Sequence, residues 1–325
     1  MFDQILLNFP KQFEWQPEVI NAQKLTPKER VVVLGMGGSH LAADILKTWA
    51  PYAEKLTIHS DYGLPLLPEV DLNKSLIIAV SHSGNTEEVL DSLKLAQENG
   101  LATAIITLGG QLIEFAQKNS LPYITIPDSA VQPRFALGFH FRAILKIMGE
   151  DGVLSETSEL ARTLESKKNE NEGQILAQKI KGRVPVIYSS TRKSAVASIW
   201  KIKLNETAKT PAFYNVIPEA NHNELAGFAD SAMAKELTGK FFFIFLEDSY
   251  DEPQNQKRIM AMADLYQSVG FSVEKIKMAG LNHWHKIFST LLLADWTSYY
   301  LAELYGLDPE KVTSVEYFKK KLAGL

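Results

Sequence analysis

A chain of 325 residues with 46% hydrophobic and 22% charged side chains is long enough for two α/β domains, each with its own core. Its formal net charge of -4, with no block of like charges, excludes a broad nucleic-acid surface and a polybasic membrane patch, so any anion site must be local. The absence of cysteine removes disulfides, thiolate metal sites and a cysteine nucleophile, and suits a reducing compartment.

The first residues, Met1-Phe2-Asp3-Gln4, show no basic segment followed by an apolar one, and the most apolar run, Phe241 to Leu246, is too short to span a bilayer. The expected location is the cytoplasm. After a short N-terminal helix, the run Val31-Val32-Val33-Leu34 ends in Gly35-Met36-Gly37-Gly38-Ser39, a buried strand followed by a tight turn. A helix over about 39–49 follows. Further strands are predicted at 56–58, 76–80, 104–107 and 123–126, alternating with helices over 86–98 and 111–118. This alternation implies a parallel sheet covered on both faces.

An apolar stretch of helical period covers 135–148, and a polar segment rich in Glu, Lys, Asn and Gln covers about 155–182. A second cycle opens with a strand over 184–188, the turn Ser189-Ser190-Thr191 and a helix over about 193–209. Strands at 241–246 and 272–276 flank a helix over 253–269, a long apolar helix covers 283–304, and Asp308-Pro309-Glu310 starts a last helix running to Lys321. The fold class is α/β, with two doubly wound parallel-sheet domains of about five strands each. The expected division is 1–154, a helical connector over 155–182, and 183–325.

Chemistry concentrates in Ser81-His82-Ser83-Gly84-Asn85-Thr86-Glu87-Glu88, directly after a buried strand and at the opening of a helix. Hydroxyls from Ser81, Ser83 and Thr86 stand where helix N–H groups and the helix dipole favour an anion, and Gly84 lets the backbone approach it. A phosphate monoester suits this loop. The plain alternative is an N-cap, with Thr86 or Asn85 capping and Glu87 or Glu88 completing a capping box. The loop with Gly37, Gly38 and Ser39 would bring backbone amides to the same ligand, or is simply a tight turn. It fails the dinucleotide pattern because His40 stands where a third glycine is required, so NAD is disfavoured.

Together, Gly35-Met36-Gly37-Gly38-Ser39, Ser81-His82-Ser83-Gly84-Asn85-Thr86-Glu87-Glu88, Pro133-Arg134, Asn205-Glu206 and Asn221-His222-Asn223-Glu224 resemble the bifunctional phosphoglucose/phosphomannose isomerases of the sugar isomerase (SIS) superfamily. The resemblance runs from about residue 31 to the C-terminus. It implies two SIS domains, a homodimer, no cofactor, and metal-independent interconversion of glucose 6-phosphate or mannose 6-phosphate with fructose 6-phosphate. It also implies Glu206 as the base that moves a proton between C1 and C2, and His222, supplied across the dimer interface, as a ring-opening group. Arg134 would stabilise the enediolate, and Lys319, in an apolar-Lys-x-x-Leu pattern, would assist ring opening. His40 departs from a position where the family commonly has glycine, and His82 from one where tyrosine is frequent.

The residues agree with that chemistry, since aldose–ketose isomerisation needs one carboxylate base and an acid/base for the ring. His283-Trp284-His285 invites a metal reading, but residues two apart on a helix diverge and no H-E-x-x-H accompanies them, so no metal is expected. Two other readings stay open. One is a non-catalytic sugar-phosphate sensor, which needs the loop but no base; the other is an isomerase of a different sugar phosphate.

Overall fold

A computed structural model describes residues 2–128, 131–229 and 235–322. The chain divides into two compact units, one of Asn8–Leu164 and one of Met1–Leu7 with Glu165–Leu325. Each is built on an all-parallel sheet.

In the first unit the strands are β1 (Arg30–Leu34), β2 (Leu56–His59), β3 (Ser75–Ser81), β4 (Ala102–Thr107) and β5 (Tyr123–Thr125), in the order β2-β1-β3-β4-β5. All seven residues of β3 are buried, as expected of a central strand covered by helices on both faces. Val32, Leu34, Ile77, Ala79 and Ile105 form one core layer with Leu93 and Leu112 of the helices Glu87–Glu98 and Gly110–Lys118. Strand order reverses between β1 and β3, which run side by side with Leu34 opposite Ala79. In open α/β sheets such a reversal opens a crevice beyond the carboxyl ends of the strands. The glycine loop and the Ser81 loop both leave from it.

The second unit contains β6 (Val184–Ser190), β7 (Phe213–Ile217), β8 (Phe241–Glu247) and β9 (Ser272–Lys277), in the order β7-β6-β8-β9, with its own reversal between β6 and β8. Among the described residues this sheet has four strands, not five. β7, missed in the sequence, is Phe-Tyr-Asn-Val-Ile, rich in strand-forming residues but interrupted by Asn215, and it lies at the sheet edge with Phe213 and Tyr214 exposed. The helix Ser166–Ile180 packs along the long helix His283–Tyr305, where a β-carbon on Gly173 would lie 2.6 Å from that of Trp296. The stretch 155–182 is helical, divided among Asp151–Ser158, Leu160–Thr163 and Ser166–Ile180. The first helix, Phe2–Leu7, joins this unit: its Leu6 carbonyl accepts from the Ser166 hydroxyl at 2.9 Å, and Phe2 stacks on Tyr299.

The last helix is Thr313–Leu322 and does not start at Asp308. The Asp308 carboxylate instead accepts from the Glu310 and Lys311 amides, which makes a turn.

Candidate active site

The first unit assembles most of the predicted anion site. Ser81 ends β3 and is buried, and its hydroxyl lies 2.7 Å from that of Thr86. The Ser81 hydroxyl also accepts from the Gly84 amide at 3.1 Å, and the His82 amide donates to the Ser39 hydroxyl at 3.1 Å. Ser39 thus ties the glycine loop to the Ser81 loop. Ser83 is exposed, its hydroxyl accepting from the Asn85 amide.

Two glycines are demanded by this packing. Gly84 has φ +72, and a β-carbon there would lie 1.7 Å from the Gly109 carbonyl oxygen. A β-carbon on Gly38 would lie 2.8 Å from the Arg134 amide nitrogen, so its absence lets the glycine loop close on the turn Pro133–Phe135.

Thr86 occupies the N-cap of the helix Glu87–Glu98 in extended conformation, yet its side chain makes no capping hydrogen bond. The hydroxyl is turned to Ser81 instead. The first-turn N–H groups of a helix have no intrahelical acceptor, so without a capping side chain they are donors available to a ligand. The capping box therefore does not form through Thr86.

Arg134 lies in the turn Pro133–Phe135 and is buried, its guanidinium carbon 4.7 Å from the Phe135 ring centre. Gln12, not singled out in the sequence, clamps this turn. Its side chain donates to the Phe135 carbonyl at 2.6 Å and accepts from the Gly138 amide at 2.9 Å. A glutamine in an N-terminal 3₁₀ turn carries no local signature for contacts more than 120 residues away.

The second unit carries the predicted base and histidine. Glu206 is the last residue of the helix Ser194–Glu206, half-buried, its carbonyl accepting from Lys209 at 2.8 Å. One turn earlier on that helix, Lys203 is buried and paired with buried Asp295 of the long helix at 2.5 Å. His222 closes the 3₁₀ turn Glu219–His222 after β7 and is exposed. Its segment is held by Glu224, whose carboxylate accepts from the Tyr188 hydroxyl and from the Asn215 side-chain amide. Lys319 sits on the helix Thr313–Leu322, none of whose side chains is buried.

The loop after β8 occupies, in this unit, the place that the Ser81 loop occupies in the other. Asp248, buried, forms an ion pair with Lys193 at 3.1 Å and another with Lys286. Burial alone would raise the Asp248 carboxyl, but the hydrogen bond from Lys286 and the proximity of Lys193 hold it below the usual range. Asp251 is raised by burial. Glu252 caps the following helix, Pro253–Ser268, accepting from the Gln254 and Asn255 amides at 2.7 and 3.0 Å. In Ser189-Ser190-Thr191, the Ser189 hydroxyl donates to the Ser190 carbonyl and the Thr191 hydroxyl to the Ile217 carbonyl.

Among the described residues no cluster of three or more His, Asp or Glu side chains could hold a metal ion, and no helix is long and apolar enough to cross a membrane. In the His283–His285 segment, the His285 amide is bonded to the capping side chain of Asn282.

Two parallel sheets, each with its reversal between the first and third strands, and a hydroxyl-lined loop at one reversal define a SIS-type protein. The profile of the SIS domain matches residues 24–119, and that of the bacterial phospho-glucose isomerase C-terminal SIS domain matches residues 169–322. A bifunctional phosphoglucose/phosphomannose isomerase of Aquifex aeolicus is 33% identical, covering 98% of this chain and 97% of its own length. The chain belongs to the bifunctional phosphoglucose/phosphomannose isomerase family. A D-glucosamine-6-phosphate 4-epimerase of Sulfolobus acidocaldarius is also 33% identical, but over 61% of this chain and 63% of its own. A solved glucose-6-phosphate isomerase-like protein of Thermus thermophilus shares the fold, with TM-score 0.63 and 17% identity over 97% of this chain and 93% of that one.

Proposed function

We propose that the protein is a metal-independent aldose–ketose isomerase that interconverts glucose 6-phosphate or mannose 6-phosphate with fructose 6-phosphate. The observation that carries this reading is the Ser81–Thr86 loop. The hydroxyls of Ser81 and Thr86 are tied together at a buried strand end, beside a helix start that Thr86 leaves uncapped. Such a start favours a dianionic phosphate through its N–H groups and dipole. Family membership over nearly the full chain supplies the reaction class.

In this mechanism Ser81, Ser83 and Thr86 hold the phosphate, and Gly37, Gly38 and Ser39 border the sugar. His222 and Lys319 move the proton between the ring oxygen and O1 as the pyranose opens. Glu206 then removes the proton from C2 of the aldose, and the C1 carbonyl becomes the enediolate. Arg134 stabilises the negative charge on the oxygens, as a fixed cation does for a developing oxyanion. Return of the proton from Glu206 to C1, with O1 protonated and O2 becoming the carbonyl, gives the ketose. No step requires an external oxidant or a metal. The partner is a second copy of the chain, which supplies His222, and the setting is the cytoplasm.

A coupled assay with fructose 6-phosphate tests the reading. Glu206→Gln is expected to lower kcat by about a thousandfold, within the usual range for loss of a positioned base. Full activity in that variant, or no turnover by the wild-type protein, contradicts it. Retention of activity in chelator is expected. A second reading, an isomerase or epimerase of an amino-sugar phosphate, is favoured only by the Sulfolobus acidocaldarius relative. Turnover of glucosamine 6-phosphate in preference to fructose 6-phosphate would select it.

A further inference from the structure

One imidazole within the Ser81 loop, His82, and one packed against it, His140, are not used by the mechanism above. His140, on the helix Leu137–Met148, is fully buried, and among the described residues neither ring nitrogen has a hydrogen-bond partner in bonding geometry. Its ring meets that of His82 edge to face, with centres 5.4 Å apart and planes at 61°. The Val131 carbonyl accepts from the His82 ring, while its Nδ1 is buried and unpartnered.

Burial and the neighbouring imidazole push His140 down to about 3, and burial lowers His82 as well. The other groups acting on these rings are Asp128, which favours the charged form of His82, and the Ala136 carbonyl, which does so for His140. Neither outweighs burial.

Residue 82 is also where the loop is fixed through its backbone. Its amide donates to Ser39, and its carbonyl accepts from the Leu108 amide at 3.1 Å. Its side chain adds a third attachment, to a helix that begins two residues after the turn holding Arg134. Two aliphatic or phenyl side chains would fill the same space without burying orphaned nitrogens, which cost free energy wherever they occur.

We propose that His140, acting through His82, is a positioning residue that holds the Ser81–Thr86 loop in register with the Arg134 turn by edge-to-face contact of the two rings. The proposal rests on the reading of that loop as the phosphate anchor. It assigns His140 no contact with substrate. The ring shape is what the contact uses, so a phenyl group should serve.

The test is steady-state kinetics of the full-length enzyme with fructose 6-phosphate, alongside competitive inhibition by inorganic phosphate. His140→Ala is expected to raise KM and the phosphate inhibition constant together by about tenfold, with kcat within about twofold, the signature of lost ground-state binding. His140→Phe is expected to restore both to within about twofold. Unchanged KM in His140→Ala, a fall in kcat at fixed KM, or failure of the phenyl variant to restore binding overturns the proposal. If His140→Ala does not fold, His82→Ala against His82→Phe makes the same comparison from the loop side. Thr86→Val reports the anchor separately. If Thr86→Val weakens phosphate inhibition while His140→Ala does not, only the positioning role fails; if Thr86→Val leaves phosphate inhibition unchanged, the anchor reading itself fails.

Discussion

The loops after β3 and β8 stand at the same place in their two sheets, each following the strand beside the reversal of strand order and each opening a helix. Fold alone would make both anion sites. In the first, the residue at the helix start, Thr86, gives its hydroxyl to Ser81 and leaves the helix N-terminus to a ligand. In the second, Glu252 caps the helix, and Asp248 lies between Lys193 and Lys286 as a built-in anion. The difference teaches that a helix N-terminus stays open to an anion where its N-cap side chain is turned elsewhere, as Thr86 is, and is closed where that side chain caps it, as Glu252 does. The second unit uses the same electrostatics for stability.

The strongest way to break this comparison is to empty the internal anion site. Asp248→Ala leaves two buried ammonium groups without their carboxylate, and is expected to cost about 3–5 kcal/mol in chemical denaturation. A loss below about 1 kcal/mol would mean that the carboxylate is not the partner the lysines require.

Acid separates the units less sharply, because each holds one strongly depressed histidine. Burial brings His140 to about 3 in the first, and burial with Lys193 and Lys286 nearby brings His283 to about 3 in the second. Such a group takes up its proton only in the unfolded chain as the pH falls below about 6.5. Stability should therefore be complete above that pH and decline as the pH falls toward 3, by about 1.4 kcal/mol per pH unit for each group. Denaturation midpoints measured between pH 7 and 5 are expected to fall, and to fall less steeply in His140→Phe. An unchanged slope in that variant would contradict the burial of an uncharged imidazole there.

The smallest effect sharpens the role of the cap. Glu252→Ala removes the acceptor for two helix amides and is expected to cost about 1 kcal/mol of stability, read by thermal denaturation.

Much of this architecture was legible in the sequence. Most described strands, among them β1, β3, β4, β6 and β8, show an apolar or β-branched run, and the Ser81 loop announces itself by three hydroxyls and a glycine between a strand and a helix. β7 could have been found from Phe213, Tyr214, Val216 and Ile217, but Asn215 and the exposure of its first two residues leave it without a continuous apolar run or a clean alternation. Gln12 and Glu224 were not legible as supports, since each acts through contacts that only the folded chain creates. The acidic loop after β8 could have been found. Asp248, Asp251 and Glu252 follow an apolar strand just as Ser81, Ser83 and Thr86 do, and comparing the two strand ends exposes the exchange of hydroxyls for carboxylates.

The most direct test of the central claim compares the two loops in one assay, by measuring KM for fructose 6-phosphate in Thr86→Val and in Glu252→Ala. Loss of a hydrogen bond to a charged group should raise KM by about tenfold or more in the first variant, and the second should stay within about twofold of wild type. An unchanged KM in Thr86→Val, or a tenfold rise in Glu252→Ala, would contradict the assignment of the phosphate to the loop after β3.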